Sequence, residues 1–139
     1  MGDLITDDFA EELTGACRAA VGDSLRAVVY FTPDDHEVAY VRSDLYGDDE
    51  ELLHRVQSEF VESERLGFDS QETYRSLATQ AGTEPELGQY GFTMRVFDRG
   101  YLSRVIVDDR GVFMTTDGLD IDGFRELAVT LRKLLAEPE

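Results

Sequence analysis

Cysteine is nearly missing from this chain. Cys17 stands alone, which excludes an internal disulfide and any CxxC or zinc-ligand spacing. Long apolar runs are missing too: nothing approaches the ~20 consecutive apolar residues that a membrane-spanning helix needs. The acidic start from Asp3 onward does not read as a secretory signal. There is no P-loop, no GxGxxG after a strand, no GxSxG and no HExxH. Lysine is the scarcest of the charged residues, since Lys133 is the only one among thirteen basic side chains.

What is abundant is acid. Thirty Asp and Glu against thirteen Lys and Arg give a formal net charge of −17, whereas a small domain normally lies within about eight charges of neutrality. The carboxylates are spread through periodic, foldable segments and are not gathered into a tail. Acid spread over the surface, with lysine nearly gone and arginine kept, resembles the cytosolic proteins of salt-in halophiles. Molar salt shortens the Debye length to about 3 Å and screens the self-repulsion of such a surface. High salt is therefore expected to be required for folding, and the cytoplasm is the expected compartment. The arginines are scattered singly and form no basic stripe, so neither nucleic acid nor an anionic membrane is an expected partner.

The length fits one domain, residues 1–139. A helix is predicted after the capping cluster Thr6-Asp7-Asp8, with Phe9, Leu13, Ala16, Cys17, Ala20 and Val21 on one face and Gly22 at its end. Leu25–Thr32 is almost continuously apolar, as a central strand buried on both faces would be. Pro33-Asp34-Asp35 turns it into His36–Arg42, an alternating strand that sets Val38 and Tyr40 on one face. Asp48 and Glu51 have capping-box spacing for a second helix carrying Leu52, Leu53, Val56, Phe60 and Val61, ending near Gly67. Asp69–Ala78 reads as a short helix with Tyr74 and Leu77 inward. Thr79–Tyr90 reads as a loop, either a binding loop or a plain connection across the sheet's end.

The rest of the chain is organised around Gly91–Leu135. Three strands near Phe92–Phe97, Tyr101–Val107 and Val112–Thr116 are joined by Asp98-Arg99-Gly100 and Asp108-Asp109-Arg110-Gly111, turns in which glycine supplies a positive φ. If Phe97 faces Tyr101 across the first turn, Met94 faces Arg104, and one face carries Phe92, Met94, Val96, Leu102 and Ile106. The other face, with Phe97 and Tyr101, is either simply wet or a docking patch. Asp120 caps a last helix whose stripe is Phe124, Leu127, Ala128, Leu131, Leu134 and Leu135. The expected fold is α+β, in the order α-β-β-α-(α)-β-β-β-α, with a five-stranded antiparallel sheet and helices mainly on one face.

Functional chemistry is sparse. The Asp7-Asp8, Asp34-Asp35 and Asp108-Asp109 pairs lie at caps and turns, where Asp satisfies local donors. Asp117, Asp120 and Asp122 are faintly calcium-loop-like, without the glutamate twelve positions along. Cys17 reads as a small buried apolar residue, and His36 and His54 as histidines without a metal constellation. No catalytic, cofactor or metal residue is assigned. Arg104 is the residue of interest: if the hairpin register holds, it faces the covered side of the sheet and needs a carboxylate of this chain or an anionic ligand, the alternative being simple exposure at the sheet's end. A ligand pocket would bring it together with Tyr40, Tyr74 and Tyr90.

Two resemblances add to this reading. The element order resembles the roadblock/LC7 and profilin-like layout. The stretches ITDDFAEELTGACRAAVGDSLRAVVYF and ELGQYGFTMRVFDRGYLSRVIVDDRGVFMTTDGL resemble an uncharacterised family of short acidic haloarchaeal proteins. The first implies a non-catalytic, regulatory homodimer paired through the middle helix and a neighbouring edge strand, which points to Leu53, Val56, Phe60 and Val61. Its sensor-like alternative is a small-ligand module of profilin or PAS type. The second implies a salt-rich cytoplasm and assigns no activity.

Overall fold

A computed structural model describes residues 4–78 and 90–137. The expected element order is found: α1 (Asp7–Val21), a single 3-10 turn, β1 (Leu25–Phe31), β2 (His36–Val41), α2 (Glu50–Glu64), α3 (Leu66–Ala78), β3 (Thr93–Phe97), β4 (Gly100–Val107), β5 (Arg110–Thr116) and α4 (Ile121–Ala136). The five strands form one open antiparallel sheet in the order β2-β1-β5-β4-β3. Most of the 79–90 stretch lies outside the described residues.

Caps start the helices. Thr6 accepts a hydrogen bond from the Phe9 amide at 3.0 Å, and Asp120 accepts one from Gly123 at 3.2 Å. On α2 the cap is Asp49 and not Asp48, accepting from Leu52 at 3.0 Å. The N-cap residue is the one whose oxygen reaches the third amide along, and a run of acids offers several neighbours for that role.

The sheet is covered on both sides, so the expectation of helices mainly on one face is refined. α1 and α4 lie against one face, where Phe9, Leu13 and Cys17 meet Leu25, Val28, Val105, Met114, Phe124 and Leu131. α2 and α3 cover the other, where Val61 packs with Val29, Phe31, Leu102, Ile106 and Phe113. Arg110 ties the first layer together. Its guanidinium lies over Phe9 and Tyr30, 5.1 and 5.5 Å from the ring centroids, and donates to the Leu135 carbonyl at the end of α4.

Two register details differ from the sequence expectation. Phe97 pairs with Gly100, Val96 with Tyr101 and Thr93 with Arg104. The hairpin loop is therefore the two residues Asp98-Arg99, one shorter than expected, and every β3 side chain changes face. Phe92 and Met94 pack toward α1 and α4, while Thr93, Arg95 and Phe97 share a face with Leu102, Arg104 and Ile106. In the second hairpin Asp108 takes the left-handed conformation (φ 55°), not Gly111. Gly100 and Gly111 are needed for space instead: a Cβ would lie 2.5 Å from the Thr116 carbonyl oxygen at the first and 2.6 Å from the Phe31 ring at the second. A bulge in β2 sets Val28 opposite Tyr40 and Val29 opposite Val38. Val38 thus joins the α2 side and Tyr40 the α1 side, not one common face.

The middle helices also divide differently. Gly67 does not end α2; the break falls at Arg65, and Gly67 sits inside α3. A Cβ there would meet Arg104 Cζ and Ile106 Cδ1, each at 2.5 Å. Tyr74 and Leu77, expected inward, are exposed on α3.

Candidate functional site

Arg104 is the buried charge the sequence singled out, and the fold answers it from within. Its Nη1 lies 3.0 Å from Glu64 Oε1, and its Nη2 donates to Thr93 Oγ1 at 2.8 Å and Tyr90 Oη at 3.3 Å. Arg95 adds a second cation, with Nε 2.7 Å from Glu64 Oε2. Glu64 is 1% exposed and Arg104 4%, so this is a desolvated pair held by good geometry and supporting hydrogen bonds. Thr93 and Arg104 meet because the shortened hairpin makes them cross-strand partners; Gly67 leaves the room. The carboxylate of this chain occupies the place the anionic ligand would have taken.

Of the four residues expected in a ligand pocket, three are brought together. Tyr90 touches Arg104 and stacks on Tyr74 with ring centroids 4.7 Å apart. The cavity beside them holds only about 130 Å³. Tyr40 is on the opposite side of the sheet with Arg18, whose guanidinium lies 5.4 Å from its ring centroid.

The larger concavity lies between α2 and the β3–β4 hairpin. One end, about 430 Å³, is lined by Val56, Glu59, Phe60, Ser63, Arg95, Phe97 and Leu102, with Glu64 beneath. The other end, about 450 Å³, shares Val56, Phe60 and Phe97 and runs to Arg26, Tyr46, Arg99 and Thr115. Phe60 is half-buried against the Phe113 ring at 6.0 Å, and Leu53 and Val56 are half-buried. Val61 is in the core at 1% exposure and offers no surface. The edge strand exposes two apolar side chains, Phe97 at 51%, which the sequence offers as part of a docking patch, and Val96 at 71%, which it places on the covered face. Their signal was the strand's place at the sheet edge, which depends on strand order and not on local pattern.

Elsewhere the geometry matches a structural role. Burial pushes the Cys17 thiol up to about 12, out of reach of nucleophilic use at neutral pH. Burial, then the Arg65 charge, lowers the pKa of His36. Asp117 takes hydrogen bonds from Arg42 and Arg26 and is held below the usual carboxylate range. No cluster of three or more potential metal ligands occurs among the described residues. No helix among them is long and apolar enough to cross a membrane.

The profile of a domain of unknown function, DUF7522, matches residues 11–136. No curated protein matches the chain.

Proposed function

The chain belongs to the family of the domain of unknown function DUF7522, and we propose that it works as a non-catalytic interaction and regulatory module that pairs with a second copy of itself in a salt-rich cytoplasm. The observation that carries this reading is the edge strand β3. Among the described residues it has one hydrogen-bonded neighbour, β4, and it leaves Phe97 exposed beside the groove along α2 and Val96 exposed on the opposite face. The edge strand carries no proline and no lysine, and it exposes an apolar side chain on each face, Val96 on one and Phe97 on the other, which favours a partner strand over solvent at its tip. The groove carries both signs of charge, Glu59 on the α2 wall and Arg95 on the strand. The roadblock-like element order supports the same surface by resemblance.

Light scattering on a sizing column in molar potassium chloride tests it. The expected mass is twice the 15.6 kDa of the chain. Phe97→Glu is expected to halve that mass with circular dichroism unchanged, because Phe97 is already half in solvent. Val61→Glu is expected to unfold the chain, since Val61 is core. A folded monomer for the natural sequence sinks the reading.

A further inference from the structure

We propose that the Arg26–Arg99 end of the α2 groove binds a small organic anion with a flat apolar body, the anionic group being a carboxylate or a phosphate. This site shares Val56, Phe60 and Phe97 with the groove beside the pairing strand, but its argument does not rest on the pairing.

The first argument is charge. In a chain of net charge −17, this end of the groove has no carboxylate in its lining, while its two charged residues, Arg26 and Arg99, are cations. Arg99 makes no side-chain hydrogen bond or ion pair among the described residues. Arg26 gives only its Nη1 to Asp117, at 3.0 Å, and Asp117 is shared with Arg42, whose Nη1 lies 2.6 Å from the other oxygen. Guanidinium donors thus remain at the rim.

The second argument is that two further side chains of the lining, Tyr46 and Thr115, have hydroxyls able to donate. Gln57 Nε2 donates to Tyr46 Oη at 3.1 Å, which leaves the phenol proton to be given to a ligand. Gln57 itself is 1% exposed and fixes the ring from below. Thr115, on the same face as Leu102, has a hydroxyl with no partner among the described residues. Opposite these donors stand the apolar side chains of Val56 and Phe60. Convergent donors facing an apolar wall in a cleft of about 450 Å³ are what an amphiphilic anion of modest size requires.

The third argument is distortion at both rims. Tyr46 is held in the left-handed conformation (φ 59°), costly for a bulky side chain, followed by Gly47 at φ 55°. On the facing rim the β1–β5 register shifts between Leu25 and Ala27, where Arg26 is the extra residue. A bulge re-aims a side chain. Two irregularities of different kinds aim two donors at one cleft.

The test uses 1-naphthoate and adenosine monophosphate as probes, each with its uncharged counterpart, naphthalene-methanol and adenosine, and inorganic phosphate alone. Binding is followed by amide chemical shifts of the full chain in molar potassium chloride. The expected result is saturable binding of at least one aromatic anion, with shifts centred on Tyr46, Val56, Arg99 and Thr115. The uncharged counterpart should bind at least about tenfold more weakly. Naphthoate alone assigns the site to carboxylates, and adenosine monophosphate alone to phosphates. Arg99→Gln, in an exposed turn, should weaken binding about tenfold with circular dichroism unchanged, and Tyr46→Phe should weaken it while keeping the ring. Equal affinity for the uncharged counterparts, shifts centred elsewhere, no effect of Arg99→Gln, or binding by none of the probes overturns the proposal. Because mass is read separately, a monomer that binds the anion refutes only the pairing, and a dimer that binds none refutes only this site.

Discussion

At the residue scale the molecule turns on Glu64, whose single carboxylate bridges Arg104 and Arg95, one oxygen to each. Glu64→Gln keeps the shape and removes the charge, leaving a buried guanidinium uncompensated. The expected loss is about 3–5 kcal/mol, read from urea unfolding in molar salt. Two glycines make a matched pair of predictions. At Gly67 a Cβ meets Arg104 and Ile106 at 2.5 Å, whereas at Gly15, inside α1, it meets nothing within 4 Å. Gly67→Ala should therefore destabilise by about 1–3 kcal/mol, while Gly15→Ala should stabilise by about 0.5–1 kcal/mol through helix propensity. The opposite signs of two identical substitutions isolate the packing around Arg104. That Arg104 demands a partner was legible in the sequence; that the partner is Glu64 was not. A glutamate on an acidic helix face looks like solvated charge until the helix is placed over β4, and Gly67 looks like a helix stop until the guanidinium beneath it is seen.

At the element scale, strong periodicity was readable and register was not. The stripes of α1 and α4 and the apolar run of β1 are long enough to average over errors, and each lies against the core as its pattern set it, except that Ala20 on α1 is exposed. The hairpin at Asp98-Arg99 shows the limit. One residue of loop length exchanges the faces of Met94 and Thr93, and the sequence Asp-Arg-Gly serves either loop. The bulge that sends Tyr40 away from Arg104 likewise leaves no composition signal. The α2–α3 layer is the weakest element in packing terms. Of the three α2 residues that are fully buried, Gln57 and Glu64 are polar, and only Val61 is apolar. Burying an apolar side chain contributes about 1.5–3 kcal/mol, so one anchor plus a charge pair holds this helix less firmly than the five buried residues of α4 hold theirs. Native-state hydrogen exchange should show Glu50–Ala78 opening well below the free energy of β1 and β5. Equal protection in α2 and β1 would contradict this account of the layer.

At the scale of the whole molecule, the charge excess is expected to set the conditions under which the fold is stable. The arginines are largely committed to specific pairs: Arg104 and Arg95 to Glu64, Arg42 and Arg26 to Asp117, Arg65 to Glu62. They relieve local repulsion and leave the long-range excess of −17 untouched. That excess is screened only by salt. We expect loss of helical circular dichroism below a few tenths molar potassium chloride, with recovery on adding salt and none on adding sucrose. Unchanged ellipticity in dilute buffer would end the halophilic reading. Acid should act through two separate groups. Asp117 has a folded-state pKa below its unfolded value, so its contribution is present above the ordinary carboxylate range and is lost as pH falls through it. His36 is also lowered, by burial first and Arg65 second; there the unfolded chain takes the proton first, and stability falls as pH drops below the ordinary histidine value. Salt distinguishes surface from interior in the same experiment. Asp117 is solvent-facing, so its pairs are worth under about 1 kcal/mol and Asp117→Asn should matter less as salt rises. The Arg104–Glu64 pair is out of reach of counterions, and the cost of Glu64→Gln should stay constant from a few tenths molar to saturation. If both costs faded together with salt, Glu64 would have to be in contact with solvent, and the buried pair between α2 and β4 would not be what holds this layer to the sheet.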